Sequence, residues 1–127
     1  LALVLDIHHH WIRDEEYISS NDDRVKRVID SWRGQRPTLH YSYSRDEHLA
    51  VADLGDKTHT EMHDIKMLLE RGCKKQKLRA HSDLLPNKAV NDWALSFSEN
   101  FDIQTEAKGK NMAQEQLYRQ AKENSVI

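Results

Sequence analysis

Side chains of metal-ligand type fall in four short stretches of this 127-residue chain: Asp6-Ile7-His8-His9-His10, His40-Tyr41-Ser42, His81-Ser82-Asp83 and Glu106-Ala107-Lys108. Imidazole mixed with carboxylate suits zinc, manganese or iron better than calcium or magnesium, which take all-oxygen shells. Two or three such ions close together stabilise both the attacking and the leaving oxygen of a phosphoryl centre and supply hydroxide near neutral pH. Metal-assisted phosphodiester hydrolysis is therefore the chemistry this set points to. Taken singly, each residue has a structural alternative. Consecutive histidines can be solvated surface, His40 a hydrogen-bonded framework histidine, and Glu106 an ion-pair partner of Lys108 or a helix-capping acid.

The elements that must position these residues give the set its coherence. Residues 1 to 8 form an almost continuous apolar run, the pattern of a strand buried on both faces of a parallel sheet. Ser20-Asn21-Asp22-Asp23 supplies caps and first-turn acids for a helix whose apolar positions are Val25, Val28, Ile29 and Trp32, with Gly34 as its stop. A second strand is expected from Thr38 to Tyr43. Met62, Ile65, Leu68 and Leu69 predict a helix ending before Gly72, inside an extended insertion over residues 44–80. Pro86, at a first-turn position, opens a helix through Ala89, Val90, Trp93, Ala94 and Phe97, followed by a strand from Phe101 to Glu106. Met112, Gln116, Leu117 and Ala121 mark the final helix.

The order predicts an α/β fold built of three strand-helix units around a parallel sheet. In such folds functional side chains gather at the carboxyl ends of strands, which is where Asp6, the histidines after it, His40 and Glu106 fall. His81 lies in the loop before the second crossover helix. In an extended strand Asp6 shares a face with His8, whereas a turn at Ile7 would bring His9 back beside it; periodicity leaves both open. His59 and His63 have the i, i+4 spacing of helix ligands, but without a metalloprotease glutamate between them a structural role is the better reading.

Composition bounds the rest. With 19 basic and 21 acidic groups the net charge is −2, and 38% hydrophobic with 31% charged residues suits a globular unit. Residues 1–64 hold 8 basic and 13 acidic side chains, a net of −5, and residues 65–127 hold 11 and 8, a net of +3. An anionic partner should meet the second half, where Lys66, Arg71, Lys74, Lys75, Lys77 and Arg79 face one acid, Glu70. Cys73 alone closes no internal disulfide, so a reducing, cytoplasmic setting is expected, and no stretch approaches the roughly 20 apolar residues of a membrane helix.

In their order and strand-end placement these blocks resemble the C-terminal part of the UV damage endonuclease family, a branch of the xylose-isomerase-like TIM barrels related to endonuclease IV type nucleases. The resemblance rests on Leu3-Val4-Leu5-Asp6-Ile7-His8-His9-His10, Leu39-His40-Tyr41-Ser42, His81-Ser82-Asp83 and Phe101-Asp102-Ile103-Gln104-Thr105-Glu106-Ala107-Lys108. It implies the last three β/α units of a TIM barrel, and a divalent metal cluster of manganese or zinc type held by Asp6, His9, His40, His81 and Glu106. It also implies catalytic roles for Glu106 and for Lys108 at the phosphate, and cleavage of damaged double-stranded DNA immediately 5′ to UV photoproducts.

The basic stretch adds Lys74, Lys75, Lys77 and Arg79 as the expected DNA contacts. Thr38 stands where the family tends to carry a lysine that can be modified into a ligand, and a threonine cannot take that role. A TIM barrel takes about 250 residues, so this chain, which opens at Leu1 without a methionine, reads as part of a barrel whose N-terminal strands lie elsewhere in the same polypeptide. The alternatives are an abasic-site endonuclease, a sugar isomerase or epimerase of the same superfamily, or a truncated, non-catalytic metal-binding barrel piece.

Overall fold

A computed structural model describes residues 2–106 and 110–123. In chain order the elements are β1 (Leu5–Asp6), α1 (Ile7–Asp14), α2 (Asp23–Ser31), β2 (Thr38–Tyr41), α3 (Asp46–Leu49), α4 (Ile65–Glu70), α5 (Lys75–Leu78), α6 (Lys88–Leu95), β3 (Asp102–Thr105) and α7 (Lys110–Glu123). Single 3-10 turns cover Ala50–Ala52 and Gly55–His59. The three strands form one parallel sheet in the order β1-β2-β3, so the fold is α/β.

Register decides which side chains share a face. Leu5 pairs with Leu39 and Asp6 with His40, while Leu39 pairs with Ile103 and Tyr41 with Thr105. Partners in register project to the same side, and successive residues alternate. Leu39, Tyr41 and Thr105 are accordingly buried under the helices, whereas Asp6, His40 and the exposed Gln104 belong to the opposite face. Helices thus cover one face of this sheet among the described residues, not both as the apolar pattern suggested.

The first strand is shorter than expected. Only Leu5 and Asp6 are paired, and Leu3 and Val4 are 50% and 63% exposed, so the apolar run is an unpaired edge rather than a strand buried on both faces. The backbone of Leu3 is held by α2 instead: its N–H donates to Ser31 Oγ and its carbonyl accepts from Trp32 Nε1, each at 2.8 Å. Extension stops at Asp6 because its carboxylate caps α1, taking a hydrogen bond from the His9 N–H at 2.9 Å.

The remaining helices follow their sequence signals with two shifts. Asp22 caps α2, and Gly34, at a φ of 87°, ends the excursion that follows it. Asn87 caps α6, its Oδ1 accepting from the Val90 N–H at 3.0 Å, so Pro86 precedes the helix instead of standing in its first turn. On α7 the inward positions are Ala113, Leu117, Gln120 and Ala121, and Met112 is 66% exposed. Leu117 and Ala121 are thus inward as the apolar types suggest, while Ala113 replaces Met112 and Gln120 enters the interior to bond Asn91, Asp92 and the Lys88 carbonyl.

The 44–80 insertion is more structured than a loop carrying one helix. A buried clasp closes it: Tyr43 Oη and His63 Nε2 both donate to the Thr58 carbonyl, and Asn87 Nδ2 donates to the carbonyls of Thr58 and Glu61 at 3.0 and 2.8 Å. The His63 N–H donates to Tyr17 Oη at 3.0 Å. His63 is thus a framework residue, and His59 pairs with Asp46 at 2.9 Å, so the two do not act together.

Burial lowers the His63 pKa below its ordinary 6.5, so the fold holds a neutral ring that the unfolded chain protonates near pH 6.5. Stability is complete above that pH and falls as the pH drops toward the folded value, by about 1.4 kcal/mol per pH unit for one such proton. Thermal denaturation between pH 7.5 and 5 is expected to show the decline. His63→Gln, which keeps a donor for Thr58, should shallow it; an unaltered slope would remove His63 from this role.

Candidate metal centre

Three strand ends meet at one point. Asp6 is the last residue of β1, His40 the third residue of β2, and Glu106 follows β3, its N–H bonded to the Tyr41 carbonyl at 2.8 Å. Asp6 and His40 are cross-strand neighbours, and Glu106 lies two residues beyond Gln104, the register partner of His40. One ligand atom from each of Asp6, His40 and Glu106 lies within 4.8 Å of the others. His40 Nδ1 is 2.8 Å from Glu106 Oε1, and the Asp6 and Glu106 carboxyls share a hydrogen bond.

Electrostatics at this point favour a cation. Burial raises the Asp6 pKa above the usual carboxylate range, against the His9 N–H and helped by the adjacent Glu106. Burial pushes Glu106 upward too, but the hydrogen bonds from His40 and Asp6, with the imidazoles of His40 and His81, outweigh it and the net shift is downward. The adjacency of the two carboxyls thus pushes their affinities for a proton apart, Asp6 upward and Glu106 downward. Two acids this close repel when both are ionised, and a bound cation removes that penalty. The side chains of His40 and Glu106 are each 33% exposed, so solvent reaches the donors.

Two carboxylates and an imidazole fit zinc or manganese, and each keeps donor capacity. Asp6 Oδ1 is committed to the cap, while Oδ2, 3.9 Å from His9 Nδ1, is available. The turn into α1 brings His9 to this side, which decides between the two arrangements that periodicity left open. His9 and His81 form a rim beside the central three, their rings 6.3 Å apart between centroids. His81 reaches it because its backbone bridges Ser44 antiparallel, and the next residue, Ser82, donates its N–H to the Tyr43 carbonyl at 2.8 Å.

His8 faces the interior. It is 3% exposed, burial drives its pKa down to about 3, and its ring nitrogens meet Ser42 Oγ at 2.9 Å and Ser44 Oγ at 3.0 Å. His10 is also buried, between Asp14 and Glu16 at 3.0 Å each. Sequence reasoning missed Ser44; the signal was Ser42 and Ser44 two apart at the end of β2, on one side of an extended chain.

The basic segment lies alongside. Lys74, Lys77 and Arg79 are exposed, and Arg79 stands two residues before His81. Lys75 Nζ is 3.6 Å from Glu15 and 3.4 Å from the Arg13 carbonyl, and Arg71 donates to the Ala52 carbonyl at 3.0 Å, so both also secure the insertion. Lys108 lies outside the described residues. No helix among the described residues is long and apolar enough to cross a membrane. No family model, curated protein or solved structure matches the chain.

Proposed function

We propose that this chain forms the C-terminal part of a TIM-barrel DNA repair endonuclease, contributing half of a divalent metal centre that serves cleavage 5′ to UV photoproducts. The observation that carries the reading is the meeting of Asp6, His40 and Glu106 at the carboxyl ends of three successive parallel strands. The strand order supports a barrel. Three parallel strands that neighbour one another in chain order have the winding of part of a closed barrel, an order that half of a doubly wound sheet shares. Helices on one face and the half-exposed Leu3 and Val4 at the β1 edge suit a sheet continued by further strands.

In this reading Asp6 Oδ2, a Glu106 oxygen and a His40 ring nitrogen hold manganese or zinc. Held there, such an ion would supply Lewis acidity toward a phosphate oxygen and would lower the pKa of bound water. The 2.8 Å approach of Glu106 Oε1 to His40 Nδ1 brings these two donors close enough to share one ion. His9 and His81, on the open rim, are placed to complete the shell or to hydrogen-bond a phosphate oxygen. Lys74, Lys77 and Arg79 neutralise backbone phosphates beside the cut.

The test is a nicking assay with the polypeptide that joins this chain to the rest of its barrel, on UV-irradiated, abasic and undamaged duplexes with Mn2+. Nicks confined to the irradiated duplex, and lost with chelator, are expected. Preferred cutting of the abasic duplex would move the assignment to that alternative, and chelator-resistant cutting would reject it. Lys77→Ala should weaken duplex binding for every sequence alike and reduce the slope of log K against log salt by about 1. An unchanged slope would remove Lys77 from the DNA path.

A further inference from the structure

His8 is not among the groups proposed to hold the metal, yet it is tied to the segments that carry Asp6, His9, His40 and His81. Its backbone lies between Asp6 and His9, at the start of α1. Ser42, two residues after His40, meets its Nδ1 at 2.9 Å. Ser44, whose backbone bridges that of His81, meets its Nε2 at 3.0 Å. Ser44 in turn donates to the carbonyl of Leu78, three residues before His81.

The direction of these bonds is fixed by proton count. The one hydroxyl proton of Ser44 goes to the Leu78 carbonyl at 2.7 Å, so Ser44 Oγ accepts from His8 and the His8 proton sits on Nε2. Nδ1 of the neutral ring is then an acceptor, and Ser42 donates to it. The result is an unbroken, buried relay from the Ser42 hydroxyl through the His8 ring and the Ser44 hydroxyl to the Leu78 carbonyl. It joins the β2 end, the α1 turn and the basic α5 segment, with no other buried acid or base in it. The His8 ring also lies 6.1 Å from His81, edge-on, and 6.2 Å from His9, filling the space behind both.

We infer that His8 is a positioning residue which sets His81, and the basic segment leading to it, against the Asp6–His9 turn. This rests on the metal-centre reading above. It accounts for a histidine in a place where an apolar side chain would fill the volume but leave Ser42 and Ser44 without their ring partner. A role confined to stability would not single out His81.

Mn2+ titration of the 127-residue chain, with free Mn2+ followed by electron paramagnetic resonance, separates the two. His8→Phe keeps ring volume and removes both bonds; it is expected to lower affinity by about 10–100-fold, the usual effect of losing a group that orients a ligand. His81→Ala should then add little to His8→Phe, because His81 is already displaced, whereas His40→Ala should still lower affinity further. His8→Gln, which can donate to Ser44, should recover part of the loss. Ser44→Ala tests the same link with a smaller change should His8→Phe not fold.

Unaltered affinity in a folded His8→Phe or Ser44→Ala chain, or losses for His8→Phe and His81→Ala that simply multiply, would overturn the role while leaving the metal centre standing. Absence of Mn2+ binding by the unaltered chain would overturn both. Nitrogen NMR of the metal-free chain gives a second readout: an Nε2–H tautomer at His8 is expected, and an Nδ1–H tautomer contradicts the relay.

Discussion

Replacing Glu106 with glutamine is expected to cost more than the roughly 100-fold in Mn2+ affinity that marks loss of an outer partner, and to abolish metal-dependent nicking. The substitution keeps shape and the backbone bond to Tyr41, so the fold should survive. It removes the charge that two of its neighbours answer: the His40 ring at 2.8 Å and the adjacent Asp6 carboxyl. A neutral amide does not compensate a cation, and its single carbonyl oxygen cannot both accept from His40 and face the ion. Calorimetric titration with Mn2+ and Zn2+, beside circular dichroism to verify folding, reads the effect. A Glu106→Gln chain that binds either metal as tightly as the original would exclude Glu106 as a ligand.

The largest effect on stability is expected at Asn91, 1% exposed on α6. Its Oδ1 accepts from Tyr41 Oη at 2.6 Å, and its Nδ2 donates to the Leu85 carbonyl at 2.9 Å and to Gln120 Oε1 at 3.0 Å. One amide thus ties the central strand, the segment before α6 and the final helix. Asn91→Ala leaves a fully buried tyrosine hydroxyl and a buried carbonyl without this partner. At about 1–3 kcal/mol for an orphaned group, a loss of about 3 kcal/mol is expected in urea denaturation. Tyr41→Phe in the Asn91→Ala background should cost less than Tyr41→Phe alone, because the hydroxyl it removes is already unpaired. Equal costs would show that the Tyr41 bond carries no weight.

Most of the framework was legible because each signal was local. The Asp22 cap with its Val25–Val28 stripe, the β-branched and aromatic Thr38–Tyr41, and the strand at Asp102–Thr105 all formed where pattern placed them. The order of the ligand-type residues along the chain likewise told which strand ends would meet. What escaped the pattern depended on distant partners. Apolar Leu3 and Val4 resembled a buried strand, but exposure depends on what lies beside an edge. Met112 resembled a core position, but its neighbour Ala113 faces inward, and the polar Gln120 is drawn inside by its bonds to α6. His8 and His9 were indistinguishable until the Asp6 cap turned the chain, sending one ring toward the serines and the other to the rim. The insertion read as loose because its order comes from a buried clasp among Tyr43, Thr58, His63 and Asn87, residues 15 to 44 positions apart in its hydrogen bonds to Tyr43.

The central claim is that Asp6, His40 and Glu106 share one ion. A crystal of this chain soaked in Zn2+ or Mn2+, with data collected on either side of the metal absorption edge, addresses it directly. The account predicts an anomalous peak within about 2.0–2.2 Å of a carboxylate oxygen of Asp6, one of Glu106 and a ring nitrogen of His40. A strong peak elsewhere, or none at this point in a fully soaked crystal, would contradict it.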